Sequence, residues 1–408
     1  MFTRYKTDDK GARSVVAKVY TAKEHNIHNS QIDRDCLWAI RRLWNAGHKA
    51  YIVGGAVRDM LLGRRPKDFD IATSASPRQV QNLFWNSRAI GKRFRIVHLY
   101  FANGKIIEVT TFRSDEENFE EGNNNIFGTI EQDSRRRDFS INALYYNPLD
   151  GHLIDFNDSM DDIRKRVIRS LIPLSYSFKE DPVRMIRAVK YSCTTGFRLK
   201  WDVRWAMRRD RSCIQKVSVS RLTDEVIKIF NSGCACQILE RLHAAGLLAF
   251  VMPSYDVYMK FDKVKDALGK LDEEVRQAKT SGEGYPLSSI LYTISKPVLV
   301  VEEGGQDAGE IARELFREMK VMIAPMTPPN YELERAVEMV MQDLGIRGVP
   351  SRRRGGGRRK PAQAASGKSR RSQTQTPSKK RRRSSGPKGT KVASVPAEAA
   401  SSAEAHDL

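Results

Sequence analysis

Between residues 33 and 47 the apolar side chains recur at helical spacing, with Cys36, Leu37, Ile40, Leu43 and Trp44 sharing a face until Gly47 stops the run. A different rhythm follows. The apolar stretch Ala50–Val53 reads as a strand, two glycines turn the chain, residues 56–62 form a short helix, a strand runs through Asp70 to Thr73, and Pro77 opens another helix. Residues 95–101 and 105–112 are β-rich, and Asn103-Gly104 between them predicts a two-residue hairpin. Residues 1–30 show little periodicity and read as an extended arm. Beyond about residue 140 the β-type runs largely vanish, and helical spacing dominates to about residue 346, broken near 280–286 and 302–309. The expected architecture is α+β: an arm (1–31), a small mixed α/β head (32–145), two helical regions (146–235 and 236–350) and a tail (351–408). The tail is low-complexity Arg, Lys, Gly, Ser, Pro and Ala, which cannot bury a core and is expected to be disordered when unbound.

At 408 residues the chain is longer than one core usually organises, which fits several packed modules. Its net charge of +21 calls for a polyanionic partner, nucleic acid being the commonest. The excess is uneven, because the tail holds 16 Lys and Arg against 3 Asp and Glu and so supplies +13, leaving +8 for the rest. Five scattered cysteines exclude a disulfide scaffold and fit a reducing compartment. Cys234 and Cys236 form a lone C-x-C without a second pair, which reads as packing rather than zinc binding. No stretch approaches the ~20 apolar residues that span a bilayer, and no apolar leader opens the chain, so a soluble cytoplasmic protein with no membrane partner is expected.

Three clusters carry chemistry. The first is Val53-Gly54-Gly55-Ala56-Val57-Arg58-Asp59 with Lys67-Asp68-Phe69-Asp70-Ile71. Gly54 and Gly55, between strand and helix, let a ligand approach the backbone, and Arg58 one turn in adds charge for a phosphate. Asp68 and Asp70, two apart on the predicted strand, project from one face, so their carboxylates can converge on divalent cations such as a Mg²⁺ pair. A D-x-D alone is as well explained by a solvated strand end; the upstream glycine turn gives it meaning. The second cluster, Arg135 to Asp138 before the apolar run from Phe139, reads either as an exposed basic turn with Asp138 capping a helix or as a site in which Asp138 supports the metals and Arg137 binds triphosphate. In the third, Pro182 starts a helix and places Asp181 and Arg184 on one face, either as a surface ion pair or as an acceptor and donor for the edge of adenine.

Taken in this order, from about residue 33 to 199, the segments resemble the class II nucleotidyltransferases, which include poly(A) polymerases and CCA-adding enzymes. The resemblance implies a polymerase-β-like head, a helical neck that selects the nucleotide, and helical regions that grip RNA. It makes Asp68 and Asp70 ligands of two Mg²⁺ ions and Asp138 a third active-site acid. Gly54, Gly55, Arg58, Arg137 and Arg187 would contact the incoming ATP, with Asp181 and Arg184 reading its base. Glu108 is either a further carboxylate of this site or an exposed strand residue. Within the group, residues 90–99, 125–131 and Tyr145-Tyr146 look like the poly(A) branch, as does the basic tail. The sequence departs from the family pattern at Ser140, where threonine is usual, and at Lys190-Tyr191, where Arg-Phe is usual.

The function implied is template-independent addition of adenylate to RNA 3′ ends, of mRNA and small RNA, in bacterial RNA processing and decay, with RNA-decay or chaperone proteins as further partners. CCA addition to tRNA is the alternative, and a catalytically dead RNA-binding protein acting through its tail is the rival of another class. In the tail, Arg352, Arg353, Arg354, Arg358, Arg359 and the run Lys379, Lys380, Arg381, Arg382, Arg383 are expected to hold the RNA backbone without reading sequence.

Overall fold

The computed structural model describes residues 1–7, 13–91, 96–114, 127–300 and 307–346. The tail arginines and lysines, Lys92 to Arg95 and Asn125-Ile126, on which parts of the sequence reading rest, lie outside the described residues.

The first half alternates strands and helices: β1 (Phe2–Thr7), β2 (Arg13–Tyr20), α1 (Arg34–Asn45), β3 (Ala50–Val53), α2 (Gly55–Leu61), β4 (Asp70–Thr73), α3 (Pro77–Leu83), β5 (Ser87–Ile90), β6 (Ile96–Tyr100), β7 (Ile106–Thr111), α4 (Ile130–Arg135), β8 (Leu144–Asn147) and β9 (His152–Asp155). Local chemistry sets the helix starts. The Asp33 carboxylate accepts from the Asp35 and Cys36 amides at the head of α1, and Ser76 with Gln79 forms a capping box ahead of Pro77 in α3.

Strands β1 to β9 form one nine-stranded sheet in the order β1-β2-β9-β8-β3-β4-β7-β6-β5. Its pairs are antiparallel except β4 with β7. One face, carrying Ile52, Ile71, Val97, Leu99, Val109 and Tyr146, packs against α1, α2 and α3 in the main core. On the other face Ala17, Val19, Tyr51, Val53, Ala72, Phe112, Tyr145 and Ile154 form a second, smaller core.

Three expectations are corrected. Residues 1–7 and 13–20 are not an arm: β1 and β2 are paired strands at the sheet edge, held because alternate residues of β2, Ala17 and Val19, bury against Tyr145 and Ile154. Strands also continue past residue 140, since β8 and β9 join β3 to β2. The β6–β7 hairpin forms, but its loop is a three-residue helical turn, Ala102–Gly104, closed by Gly104 at φ +72°.

The second half is helical: α5 (Ser159–Lys165), the short strand β10 (Val167–Ile168), α6 (Ser177–Glu180), α7 (Val183–Thr195), β11 (Arg198–Leu199) parallel to β10, α8 (Trp201–Asp210), α9 (Val219–Phe230), α10 (Ala235–Ala244), α11 (Leu248–Val251), α12 (Pro253–Tyr258), α13 (Asp262–Ser281), α14 (Leu287–Ser295), α15 (Ala308–Met322) and α16 (Asn330–Asp343). α7 packs on α9 and α10, and α13 links α10 to α14 and hence to α16 and α15. The main apolar core runs continuously from the sheet through these helices. Among the described residues, no helix is long and apolar enough to cross a membrane.

Candidate active site

β3 is buried along its length between β4 and β8, so its C-terminal end fixes what surrounds Gly54. At that end the cross-strand register brings Tyr145, Val53, Asp70, Glu108 and His98 into one row over β8, β3, β4, β7 and β6. Residues in register share a face, and this row belongs to the face away from α1, α2 and α3.

Gly54 caps α2 with φ +73° and ψ −137°, a conformation essentially reserved for glycine. A Cβ there would stand 3.5 Å from Asp70 Oδ2 and 3.8 Å from Arg137 Nη1. The turn therefore brings an acid and a guanidinium together over bare backbone. Gly55 lies under Arg58 instead, with a Cβ position 3.5 Å from its Nη2.

Asp70 starts β4, whereas exposed Asp68 lies in the loop before it, because buried Phe69 anchors the approach and the ladder begins only at Asp70. The two acids thus do not share a strand as the spacing predicted, though the charge of Asp68 still acts on Asp70. Burial, then the neighbouring Glu108 carboxylate, push the Asp70 carboxyl up to about 6 against the pull of Arg137. Carboxylates crowded in this way suit a divalent cation, which would neutralise them; the glycine turn leaves room beside Asp70 Oδ2. Among the described residues no three His, Cys, Asp or Glu side chains converge as a complete metal site. Two carboxylates completed by substrate oxygens is a usual arrangement for Mg²⁺, so the donor set fits that ion.

Arg137 is held from behind by residues the sequence reading left without a role. Its Nη2 lies 3.1 Å from Asp133 Oδ2 and its Nε donates to the Tyr145 hydroxyl at 3.0 Å, while that hydroxyl donates to Asp133 Oδ2 at 2.6 Å. Burial opposes the charge on Asp133, but Arg137, Arg113 and the Tyr145 hydroxyl outweigh it and hold the carboxyl below its usual value. The spacing of Asp133 and Arg137, four apart at a helix end, was the available signal.

Asp138 is buried and does not cap a helix. Its Oδ1 accepts from the Phe139 amide at 2.8 Å and from Asn142 Nδ2 at 3.4 Å, and its Oδ2 lies 2.8 Å from Arg187 Nη2. The carboxylate beside Asp70 in the sheet is Glu108. Arg58 is likewise engaged, with Nε and Nη2 on Asp59 Oδ1 and Nη1 on Asn142 Oδ1 at 2.8 Å. Asn142 thus joins Arg58 to Asp138. Tyr191 stacks beneath Arg58 and Arg187, its ring centre 5.3 and 5.6 Å from their guanidinium carbons, and its hydroxyl accepts from Arg187 Nη2 at 2.9 Å. Lys190 forms an ion pair of 2.7 Å with Glu225 instead of presenting a fork.

Pro182 caps α7 as expected, with Asp181 just outside it. Asp181 and Arg184 are nevertheless not paired with each other. Arg221 Nη2 donates to both Asp181 oxygens at 3.0 and 3.1 Å, and Arg184 Nη1 donates to Glu180 at 2.6 Å and to the Ser177 carbonyl at 2.9 Å. The i, i+3 spacing missed these partners because α6 and α9 supply them.

Comparison with known proteins locates this architecture. The Poly A polymerase head domain family matches residues 50–169, which contain Gly54, Asp68, Asp70, Glu108, Arg137 and Asp138, and a family described as the probable RNA and SrmB-binding site of polymerase A matches residues 196–259. Poly(A) polymerase I of Salmonella typhi is 36% identical over 268 residues, which is 62% of this chain and 57% of the relative, so the chain spans less than three fifths of that protein's length. Poly(A) polymerase I of Haemophilus influenzae is 35% identical over 309 residues, 70% of this chain and 68% of the relative. A CCA-adding enzyme of Geobacillus stearothermophilus is 36% identical over 221 residues, 53% of this chain and 54% of its own. The crystal structure of the Bacillus stearothermophilus CCA-adding enzyme in complex with CTP superposes with a TM-score of 0.50 at 25% identity, covering 76% of this chain and 82% of that one. The chain belongs to the class II nucleotidyltransferase family of poly(A) polymerases and CCA-adding enzymes.

Proposed function

We propose that the chain is a template-independent poly(A) polymerase that transfers AMP from ATP to RNA 3′ ends. The observation that carries the chemistry is the meeting of Asp70 and Arg137 over the side-chain-free Gly54, with Glu108 alongside. Asp68 and Asp70 are the groups that would hold Mg²⁺, with Glu108 beside Asp70 in the sheet, and the ion would supply charge to activate the 3′-hydroxyl and to steady the departing pyrophosphate. Arg137, fixed by Asp133 and Tyr145, turns its Nη1, which also donates to the Asn142 carbonyl at 3.4 Å, toward Gly54 and would meet the triphosphate there. The hydroxyl oxygen bonds to the α-phosphorus as the bond to the β-phosphate oxygen breaks, and no covalent enzyme intermediate is needed.

Asp138, Arg58 and Arg187 act chiefly by position in this reading: Arg187 holds Asp138, and Arg58 holds Asn142. They reach the nucleotide only by giving up those partners. Asp181 and Arg184 select adenine, and the basic tail holds RNA by its backbone. The poly(A) reading over CCA addition is supported by similarity to a poly(A) polymerase over 70% of the chain, against 53% for a CCA-adding enzyme. An Asp68→Ala with Asp70→Ala protein should lose extension of an RNA primer by ~10³-fold or more, since several kcal/mol of transition-state charge stabilisation is removed. Extension at the parental rate would refute the mechanism.

A further inference from the structure

In a sheet, a residue shares its face with its cross-strand partners and with the residues two before and two after it. The row that holds Asp70 and Glu108 continues through His98 to Arg88 on the edge strand β5. On that same face β7 adds Ile106, β6 adds Tyr100 and β5 adds Ile90. The small core covering this face over β2, β9, β8, β3 and β4 takes no member from β5, β6 or β7 among the described residues. Ile106 and Tyr100 are accordingly each 40% exposed, and Arg88 and Ile90 are exposed as well. The opposite face of the same strands is sealed, with Val97, Leu99, Ile107 and Val109 in the main core. An open half-sheet therefore adjoins the acids.

Tyr100 also borders a cleft of about 630 Å³ whose lining includes Trp38, Trp85, Phe101 and Arg34. Trp85 is 90% exposed, so its indole serves no core. The turn that presents it is fastened to β6: the Asn86 carbonyl accepts from the Tyr100 amide at 2.9 Å, and Asn86 Nδ2 donates to the Tyr100 carbonyl at 2.8 Å. The Tyr100 and His98 rings meet edge to face, 6.1 Å between centres, and His98 Nε2 lies 3.5 Å from Glu108 Oε1. From the acids outward the face thus carries the rings of His98, Tyr100 and Trp85 in succession. Arg88 and Arg34 flank them, and among the described residues neither is ion-paired. Asp35, which also lines the cleft, is paired with Lys105.

We propose that this open half-sheet seats the last nucleotides of the RNA, with the 3′-terminal base against His98 and Tyr100, the preceding base in the cleft beside Trp85, and the phosphate between them on Arg88. Two strand spacings, roughly 10 Å, separate β4 from β6. A nucleotide lying across β7 therefore brings its 3′-hydroxyl to Asp70 while its base rests on β6. Exposed rings take up the faces of unpaired bases, and the arginines select a polyanion. A protein partner would also find exposed rings here, but continuity with Asp70 and Glu108 points to the substrate that must reach them. The inference names the RNA seat of the proposed reaction and rests on the reading of the chain as an RNA-extending enzyme.

The test is steady-state extension of labelled oligo(A) by the full chain, with primer and ATP varied separately. Trp85→Ala with Tyr100→Ala should raise the primer KM on the order of 10- to 100-fold and leave the ATP KM unchanged, and Trp85→Phe with Tyr100→Phe should restore most of the loss. Abasic sites at the last two positions of the primer should weaken its binding to the parent and add little to the defect of the alanine pair. Abasic sites at the 5′ end should affect both proteins alike. In equilibrium binding without ATP or Mg²⁺, Arg88→Ala should lower the slope of log affinity against log salt by about 0.7, the share of one single-strand phosphate. Circular dichroism melts should match across the set, since the three side chains lie outside the core. A parental primer KM in the alanine pair, while the parent extends RNA, overturns this site alone and leaves the exposed rings to a protein partner. Primer and ATP KM raised together, without dependence on the abasic positions, overturn it as damage to the head. A parent that extends no RNA overturns this site and the proposed function together.

Discussion

Asp70 is where folding and chemistry pull in opposite directions. Its carboxyl is raised to about 6 by burial and by Glu108, above the ~3.9 of an unfolded aspartate. The unfolded chain therefore releases this proton first, so stability falls as pH rises from about 4 to 6 and the full cost, roughly 3 kcal/mol, is present above that. Asp70→Asn removes the cost. In chelator at pH 8 the variant should melt a few degrees above the parent, and the gain should vanish at pH 4. Mg²⁺ should raise the melting point of the parent more than that of the variant. A variant that melts lower at pH 8 would mean that Asp70 is a stabilising group and that the acid cluster needs no cation. The glycine turn and the start of a strand at Asp70 were legible from spacing, because each lies within a short local segment, whereas Asp68 falls in the loop before that strand. The support of Arg137 was not, since Tyr145 reaches Asp133 only once β8 is in the sheet.

Short strands were the least legible elements. β8 and β9 have four residues each and sit at the entrance to a long helical region, where a brief apolar run carries no period of its own. β1 and β2 mix polar, basic and apolar residues at a sheet edge without a clear alternation, and the two-residue spacing of Ala17 and Val19 was the signal available. The consequence reaches the site, because Ala17 and Val19 pack in the same small core as Tyr145, which holds Arg137. A chain lacking residues 1–20 should lose several kcal/mol of stability, since Ala17, Val19 and Tyr20 are all buried, and it should aggregate through the bared edge of β9. Thermal melts and light scattering check this, and an unchanged melt with no added scatter would return these residues to the role of a dispensable arm. The two faces of α8 are set apart only by the fold. Its tryptophans register as apolar in a helical pattern, and only the fold reveals that Val203, Ala206 and Met207 fill the inward face while the indoles stay outside.

Over the whole molecule, charge and organisation were readable from composition: a mildly basic body joined to a tail that carries +13 of the +21. The order of head and helices was likewise readable, since each class of period persists over tens of residues. The choice between poly(A) and CCA addition depends on features dispersed through the chain, and the metal-site chemistry is common to both. The most direct test supplies a generic RNA and a tRNA lacking its terminal CCA, with Mg²⁺ and each ribonucleoside triphosphate singly and together. Long products from ATP alone on the generic RNA are the predicted result. Addition confined to the tRNA, requiring CTP and then ATP and stopping after three nucleotides, would contradict the account and make the chain a CCA-adding enzyme.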